Sequence, residues 1–323
     1  MQLKKLGRTG LKVTPFCLGT MNLGTQVGEA ESIEVIKRAI DLGINFLDSA
    51  DGYGGGKAEE IIGKAVKGLR NSLVIATKVG APSPPDTRFN LSRKYILEKV
   101  EGCLRRLNTD YIDLLYCHMP DYDTPLDETL RALDSLVTQG KVRYLGCSNF
   151  KAWMLCKALW VSDHYNLARF DCIEPPYNLL ARDIEYELLP LCQSEGVGVC
   201  VFNPLAGELL TGLHEFGKPP VEGRFTLKDM GAMYLARYWN SKNFEAVDKF
   251  KQLAAKNNLS LPQFSLAWIL NNPTITAFLS GSTTVKQLEE NIKSIGVVIP
   301  EEDKKVCDEI WQVFSPTRFM YGR

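Results

Sequence analysis

Short runs that are apolar at nearly every position alternate along this chain with longer stretches whose apolar residues recur every three or four positions. The short runs are "PFCLG", "INFLDSA", "LVIATK", "IDLLYCH", "VRYLGCSN", "CIEPPY", "GVCVFNP" and "AFLSGS". Those such as "LVIAT" and "IDLLY" are apolar on both pleat faces, as strands covered on both sides of a parallel sheet are. Helical periodicity marks "EAESIEVIKRAIDLG", "SRKYILEKVEGCLRRL", "PLDETLRALDSLVTQG" and "DIEYELLPLCQSEG". Eight strand–helix units in about 300 residues predict a (β/α)8 TIM barrel, with residues 1–323 as one domain. A doubly wound sheet is the alternative, because a count of strands does not establish closure.

Two segments stand outside this rhythm. The opening "KKLGRTGLKV" reads as a β-hairpin turning on Gly7–Gly10, a plug for the barrel floor. The stretch from Leu213 to Asn240, after the seventh strand, is rich in Gly, Pro and aromatics. As a long loop at that place it is expected to shape a substrate pocket, with a surface excursion as the alternative.

Charge narrows the function classes. Lys+Arg and Asp+Glu both number 38, which leaves no overall electrostatic footprint for nucleic acid or an anionic membrane. No run of about 18 apolar residues suggests a membrane span, and the N-terminal stretch lacks a signal-like apolar core, so a cytoplasmic protein is expected. Nine cysteines are scattered without a C-x-x-C pair and read as buried free thiols. Three histidines, none paired in spacing with another, argue against a zinc site and hence against a metal-dependent barrel hydrolase. No heptad seam is present; a monomer is the default, and a homo-oligomer remains compatible.

The stretch "DSADGYGGGKAEE" tempts a phosphate-loop reading, but Gly at 52, 54, 55 and 56 fits neither G-x-G-x-x-G nor G-x-x-x-x-G-K-[ST]. Around Tyr53 the glycines have another use, a permissive backbone that lets the ring reach the barrel mouth. Strand C-terminal ends converge there. Those of the second, third and fourth strands deliver Asp48 with Tyr53, then Lys78, then His118. Singly each has a plain structural explanation. Together they suit carbonyl reduction: Tyr53 gives a proton, Lys78 lowers the phenol's pKa, Asp48 keeps the lysine charged, and His118 polarises the carbonyl oxygen.

The motifs "D-S-A-D-G-Y-G", "IATK", "LLYCH-x-P-D", "G-K-V-R-Y-L-G-C-S-N-F" and "LEEN", in that order, resemble the aldo-keto reductase superfamily, in the style of its bacterial and potassium-channel β-subunit-like branches. The resemblance covers essentially the whole chain. It implies a (β/α)8 barrel and NAD(P)H-dependent reduction of a small-molecule aldehyde, ketone or sugar carbonyl to an alcohol. Asp48, Tyr53, Lys78 and His118 would be the catalytic tetrad, with Tyr53 as general acid. The alternative it carries is a nicotinamide-sensing regulatory subunit with little turnover.

The same resemblance implies a cofactor site. Thr20, Met21 and Asp48 would border the nicotinamide, with Ser148 and Asn149 on its carboxamide; the bland reading of "SNF" is a helix cap. Phe202 would stack on the ring beside Asn203, and Leu205 with Gly207 would approach the pyrophosphate. Gly281, Thr283, Lys286, Gln287, Glu290 and Asn291 would flank the adenosine end. NADP(H) is preferred, with Lys286, Thr283 and Thr284 standing in for a missing arginine, and NAD(H) is the other option. Three positions depart from the family pattern: Gly52 is smaller than usual beside Tyr53, Glu174 replaces a Gln at the carboxamide, and Glu208 replaces a Gly near phosphate.

Overall fold

Both faces of the short apolar runs are buried, alternate side chains going to a barrel interior and to an outer layer of helices. The computed structural model describes residues 1–82, 88–220, 223–228 and 230–314. Strands β1 (Lys4–Lys5) and β2 (Lys12–Val13) are followed by β3 (Phe16–Gly19), α1 (Glu29–Asp41), β4 (Phe46–Asp48), α2 (Lys57–Ala65), β5 (Val74–Val79), α3 (Arg93–Leu107), β6 (Ile112–Cys117) and α4 (Leu126–Thr138). Then come β7 (Val142–Ser148), α5 (Ala152–Tyr165), β8 (Phe170–Glu174), α6 (Leu188–Glu195), β9 (Gly198–Val201), α7 (Gly231–Tyr238), α8 (Ser241–Lys256), α9 (Leu261–Leu270), β10 (Ala277–Ser280), α10 (Val285–Ile292) and α11 (Glu301–Phe314).

All eight strands expected from the apolar runs form. Strands β3 to β10 pair in parallel, and β10 returns to β3 with Phe278 opposite Phe16 and Leu279 opposite Cys17. That closure makes the fold a (β/α)8 barrel and removes the doubly wound alternative. By its contacts the chain forms two compact units. The first is 1–175, 184–202 and 274–289, which holds the whole barrel; the second is 176–183, 203–273 and 290–323.

Inside the barrel, Phe46, Val74, Ala76, Leu114, Tyr116, Cys172, Cys200, Ala277 and Leu279 form one buried cluster. Tyr116 is the bulkiest of these, and β7 makes room for it with Gly146, where a Cβ would sit 2.5 Å from the Tyr116 ring. Eight of the nine cysteines are buried, all nine are free thiols, and Cys156 is exposed.

The opening hairpin forms, and it does act as a floor: Leu6 and Val13 join the interior cluster. Its turn is held against the start of β9. Gly7 has φ +56, and a Cβ there would lie 2.4 Å from the Gly196 carbonyl oxygen. The Arg8 N–H donates to that same oxygen at 2.7 Å. Only glycine satisfies both the left-handed backbone and the close approach.

In the second unit, Asn240 caps α8, and Ser260 with Gln263 forms a capping box for α9. The Leu213–Asn240 stretch is not loop throughout: it contains a short 3-10 turn at Arg224–Thr226 and helix α7, residues 221, 222 and 229 lying outside the described set. Tyr234 and Tyr238, four apart, share the buried face of α7. Phe225 packs edge-on against Trp239 at 4.9 Å and His214 at 5.0 Å. These aromatics pack the segment itself.

Replacing Leu6 with Ala removes a fully buried side chain from the floor of the barrel. It should cost about 2–4 kcal/mol, read as a lower urea midpoint with an unchanged slope.

Candidate active site

One further step along the interior parity changes the chemistry of each strand. Beyond Phe46 comes Asp48; beyond Val74 and Ala76 comes Lys78; beyond Leu114 and Tyr116 comes His118; beyond Gly146 comes Ser148; beyond Cys172 comes Glu174. Each lies at or just past the C-terminal end of its strand, so apolar layers give way to a polar layer at one mouth.

Lys78 is the centre of that layer, with its side chain wholly buried. Its Nζ donates in a tight contact to Asp48 Oδ1 and at 3.0 Å to the Ser49 carbonyl oxygen. Glu174 Oε2 lies 3.3 Å from the same nitrogen. Tyr53 arrives from the loop after β4, its ring centroid 5.4 Å from Lys78 Nζ. His118 meets that ring edge-on at 5.9 Å. The turn beneath Tyr53 runs through Gly54, Gly55 and Gly56 at φ 59, 66 and 97, and a Cβ on Gly56 would collide with Arg106. Consecutive left-handed residues are the reason for the glycine run. Gly52 is different: its φ is −86, and a Cβ there would meet only Ala81 at 3.7 Å.

The protonation states follow from burial set against charge. Burial works against the Lys78 cation, but Asp48 and Glu174 together outweigh it and hold its pKa well above the ordinary value. Tyr53 does not follow the expectation of a lowered pKa. Burial around its hydroxyl pushes it up, and the downward pull of Lys78 is outweighed, with Asp48 and Glu174 adding to the rise. His118 is pulled down to about 3 by burial and then by Lys78, so its imidazole is neutral; its Nδ1 is buried without a hydrogen-bond partner.

The neighbouring groups expected at a nicotinamide are partly interlocked. The Thr20 N–H and Oγ1 both donate to the Asp48 carbonyl oxygen, and Met21 beside it is partly exposed. Ser148 Oγ donates to the Glu174 carbonyl oxygen at 2.9 Å, while Asn149 Nδ2 donates to the His118 carbonyl oxygen and to Ser148 Oγ. The helix-cap reading does not hold, since the residue at the head of α5 is Lys151 and no side chain caps it. Phe202 is partly buried and packs on the interior cluster. Farther along the first unit, Gly281 and Lys286 are exposed, and Gln287 Oε1 accepts from the Thr283 N–H and hydroxyl at 2.8 and 2.9 Å.

In the second unit, Asn203 Oδ1 accepts from the Gly207 N–H at 2.7 Å, and its Nδ2 donates to the Tyr238 hydroxyl at 2.7 Å. Leu205 is partly exposed between them. Glu208, at φ 82, turns its Oε2 to the Arg224 N–H at 3.0 Å, so its charge is engaged within this unit. Glu290 is engaged with Gln263 and Lys293, and Asn291 follows it on α10, partly buried.

Three contributors escape a motif-based reading. Glu174 contacts Lys78 directly, although the position is expected to serve a carboxamide; its place two residues after the inward Cys172 was the available signal. Asp51 has a carboxyl raised to about 6 by burial and by Glu59, and stands two residues before Tyr53. Asn178 Nδ2 bonds the Asn203 carbonyl oxygen and the Tyr238 hydroxyl, and nothing in its local sequence distinguishes it.

Among the described residues no group of three or more His, Cys, Asp or Glu could hold a metal ion, and no helix is long and apolar enough to cross a membrane. A nicotinamide does fit the donor set. Ser148 and Asn149 offer amide-complementary hydroxyl and carboxamide groups, and Phe202 offers a flat apolar face.

The family model "Aldo/keto reductase family" matches residues 15–312. A protein of Arabidopsis thaliana named "Probable voltage-gated potassium channel subunit beta" is 36% identical over 329 residues, spanning 98% of this chain and 97% of that protein. A protein of the same name from Oryza sativa subsp. japonica is 36% identical, over 96% of this chain and 95% of that protein. "Uncharacterized oxidoreductase YrpG" of Bacillus subtilis is 36% identical, over 96% of each chain.

Because His118 titrates near 3 when folded and near the ordinary value of about 6.5 when unfolded, the unfolded chain takes up a proton that the folded site refuses. This group's contribution to stability is therefore full above about pH 6.5 and falls as pH drops toward 3. The imidazole nitrogens of His118, followed by 15N NMR, should keep neutral-ring shifts between about pH 5 and 8.

Proposed function

The chain belongs to the aldo/keto reductase family, and from that premise we propose that it is an NAD(P)H-dependent oxidoreductase reducing an aldehyde, ketone or sugar carbonyl to the alcohol, with Tyr53 as general acid. Residues 1–323 act as one functional domain in this reading. The observation that carries it is the buried Lys78 ammonium, fixed by Asp48, beside the Tyr53 ring and the neutral His118.

A bound nicotinamide would supply the hydride to the carbonyl carbon. As negative charge grows on the carbonyl oxygen, Tyr53 donates its hydroxyl proton there. The phenolate left behind is stabilised by Lys78, whose charge is maintained by Asp48. Neutral His118 offers one ring N–H to the same oxygen and fixes its direction. The raised Tyr53 pKa keeps the proton in place near neutrality until the oxygen becomes basic enough to take it.

Ser148, Asn149, Phe202, Thr20 and Met21 hold the nicotinamide end in this reading. Asn203, Leu205 and Gly207 meet the pyrophosphate, and Gly281, Thr283, Lys286, Gln287, Glu290 and Asn291 meet the adenosine. NADP(H) is preferred, because Lys286 presents an exposed cation suited to a 2′-phosphate.

One observation favours a second reading. The Arabidopsis and rice relatives carry the names of channel β subunits, which suggests a nicotinamide-binding regulatory subunit with little turnover.

NADPH and NADH oxidation by the purified protein, measured against aldehydes, ketones and keto-sugars, separates the two. Tyr53→Phe should lower turnover about 10²- to 10⁴-fold while cofactor affinity, read by fluorescence titration, is retained. Equal turnover in the variant would sink the general-acid assignment. Cofactor binding without turnover on any carbonyl, together with a channel subunit recovered in complex, would favour the regulatory reading.

A further inference from the structure

The polar layer contains one more acid than its charges can accommodate. Lys78, Asp48 and Glu174 have side chains 0%, 2% and 4% exposed, and the Lys78 ammonium is the single cation among them. With both carboxyls ionised, this dry volume would carry a net negative charge, a state that burial strongly disfavours.

Hydrogen bonding points to the same excess. The lysine ammonium has three donors. One goes to Asp48 Oδ1 and one to the Ser49 carbonyl oxygen. Glu174 is left with a 3.3 Å ion-pair contact, and Asp48 Oδ2 and Glu174 Oε2 are both buried with no donor. Both carboxyls close on the one ammonium, Asp48 through Oδ1 and Glu174 through Oε2. Two buried, acceptor-only carboxyls beside one cation are one proton short.

We propose that Glu174 is a neutral carboxylic acid, that it donates its proton to Asp48, and that through this bond it acts as a positioning residue for Lys78 and Tyr53. One proton brings the three groups to electrical neutrality. It also turns Glu174 into a hydrogen-bond donor, which a glutamate anion is not, so the acid can do at this position what an amide side chain would do. Glu174, not Asp48, keeps the proton because the ammonium donates a hydrogen bond to Asp48, whereas its ion-pair contact with Glu174 is the longer one, at 3.3 Å.

Among the described residues, the surroundings offer no other neutralising charge. The groups facing the pair are Cys17 from β3, Tyr53 from the loop after β4, Tyr116 from β6, Cys172 from β8 and Cys200 from β9. Cys17, Tyr53, Tyr116 and Cys200 are all driven upward, chiefly by burial except at Cys200, where the bond to Cys172 leads; they stay uncharged. Burial and the Asp48 charge likewise drive the Glu174 carboxyl well above the usual range. The protonation state stands independently of the reductase reading; the positioning role rests on it.

The test is infrared spectroscopy of the full chain at about pH 8, where carboxyls in ordinary surroundings are ionised. A protonated-carboxyl C=O band is expected in the unlabelled protein. It should shift when glutamate carboxyls carry 13C, stay when aspartate carboxyls do, and be missing in Glu174→Gln. No such band, or one that follows aspartate label, overturns the proposal without recourse to any variant.

Linkage supplies a second readout. A carboxyl whose pKa is raised on folding contributes stability that is present below its unfolded pKa and is lost as pH rises toward the folded one. The difference in unfolding free energy between the chain and Glu174→Gln should therefore vary with pH with a slope of one proton above about pH 5. A flat difference, as a purely steric role would give, overturns it. Neither measurement needs turnover, so failure here and failure of the reductase reading are separable.

Discussion

A lysine ammonium without solvent is the constraint around which this barrel is arranged. Alone it would lose its proton or unfold the layer that holds it. It survives because two strands, β4 and β8, bring Asp48, the Ser49 carbonyl and Glu174 to within contact distance of one nitrogen. That convergence demands correct register, with Asp48 opposite Ala76 across β4–β5 and Glu174 opposite Ser148 across β7–β8. A slip of one residue on any of these strands would turn its polar terminus outward. Losing one partner of such a buried pair typically costs about 3–5 kcal/mol, comparable with a sizeable share of a domain's net stability. Register, closure and electrostatics are thus a single requirement here.

That requirement explains the direction in which the neighbouring groups shift. Burial acts on every titratable group in the mouth and favours the uncharged form. Lys78 resists because the Asp48 carboxylate meets its ammonium directly; His118 and Tyr53 yield, the first to a neutral ring and the second to a firmly held phenol proton. The result is one fixed lysine–aspartate ion pair beside neutral donors. Such an arrangement stabilises negative charge that develops late on an oxygen placed among them, and does little for a charge already present in the ground state.

Much of this was legible in the residue pattern, and for identifiable reasons. The eight apolar runs such as "LVIATK" and "IDLLYCH" stand out because both their faces are buried, and that same period of two carries the eye to Lys78 and His118 at their ends. Buried thiols at Cys117, Cys147 and Cys200 were readable as core for the same reason. Energetic balance was less visible. Proximity of Lys78 to Tyr53 argues for a lowered phenol pKa, and only the three-dimensional depth of the hydroxyl shows that burial outweighs it. Glu174 was noticed as an odd residue, but its contact with Lys78 depends on the β7–β8 register. Asn178, which ties together Asn203 and Tyr238, sits in an ordinary turn and acquires meaning only through partners 25 and 60 residues away. Helix α7 was hidden by the Gly and Pro residues that precede it.

The distribution of thiols has a practical side. Eight of the nine cysteines lie within packed elements, and Cys156 alone is exposed, on α5 between Trp153 and Trp160. A folded sample therefore presents one sulfur to an alkylating dye or spin label, on the helix that follows the strand bearing Ser148. The native chain comes with a single attachment point for an optical or magnetic reporter, next to two indoles able to quench or transfer energy to it, and no cysteine needs to be removed first.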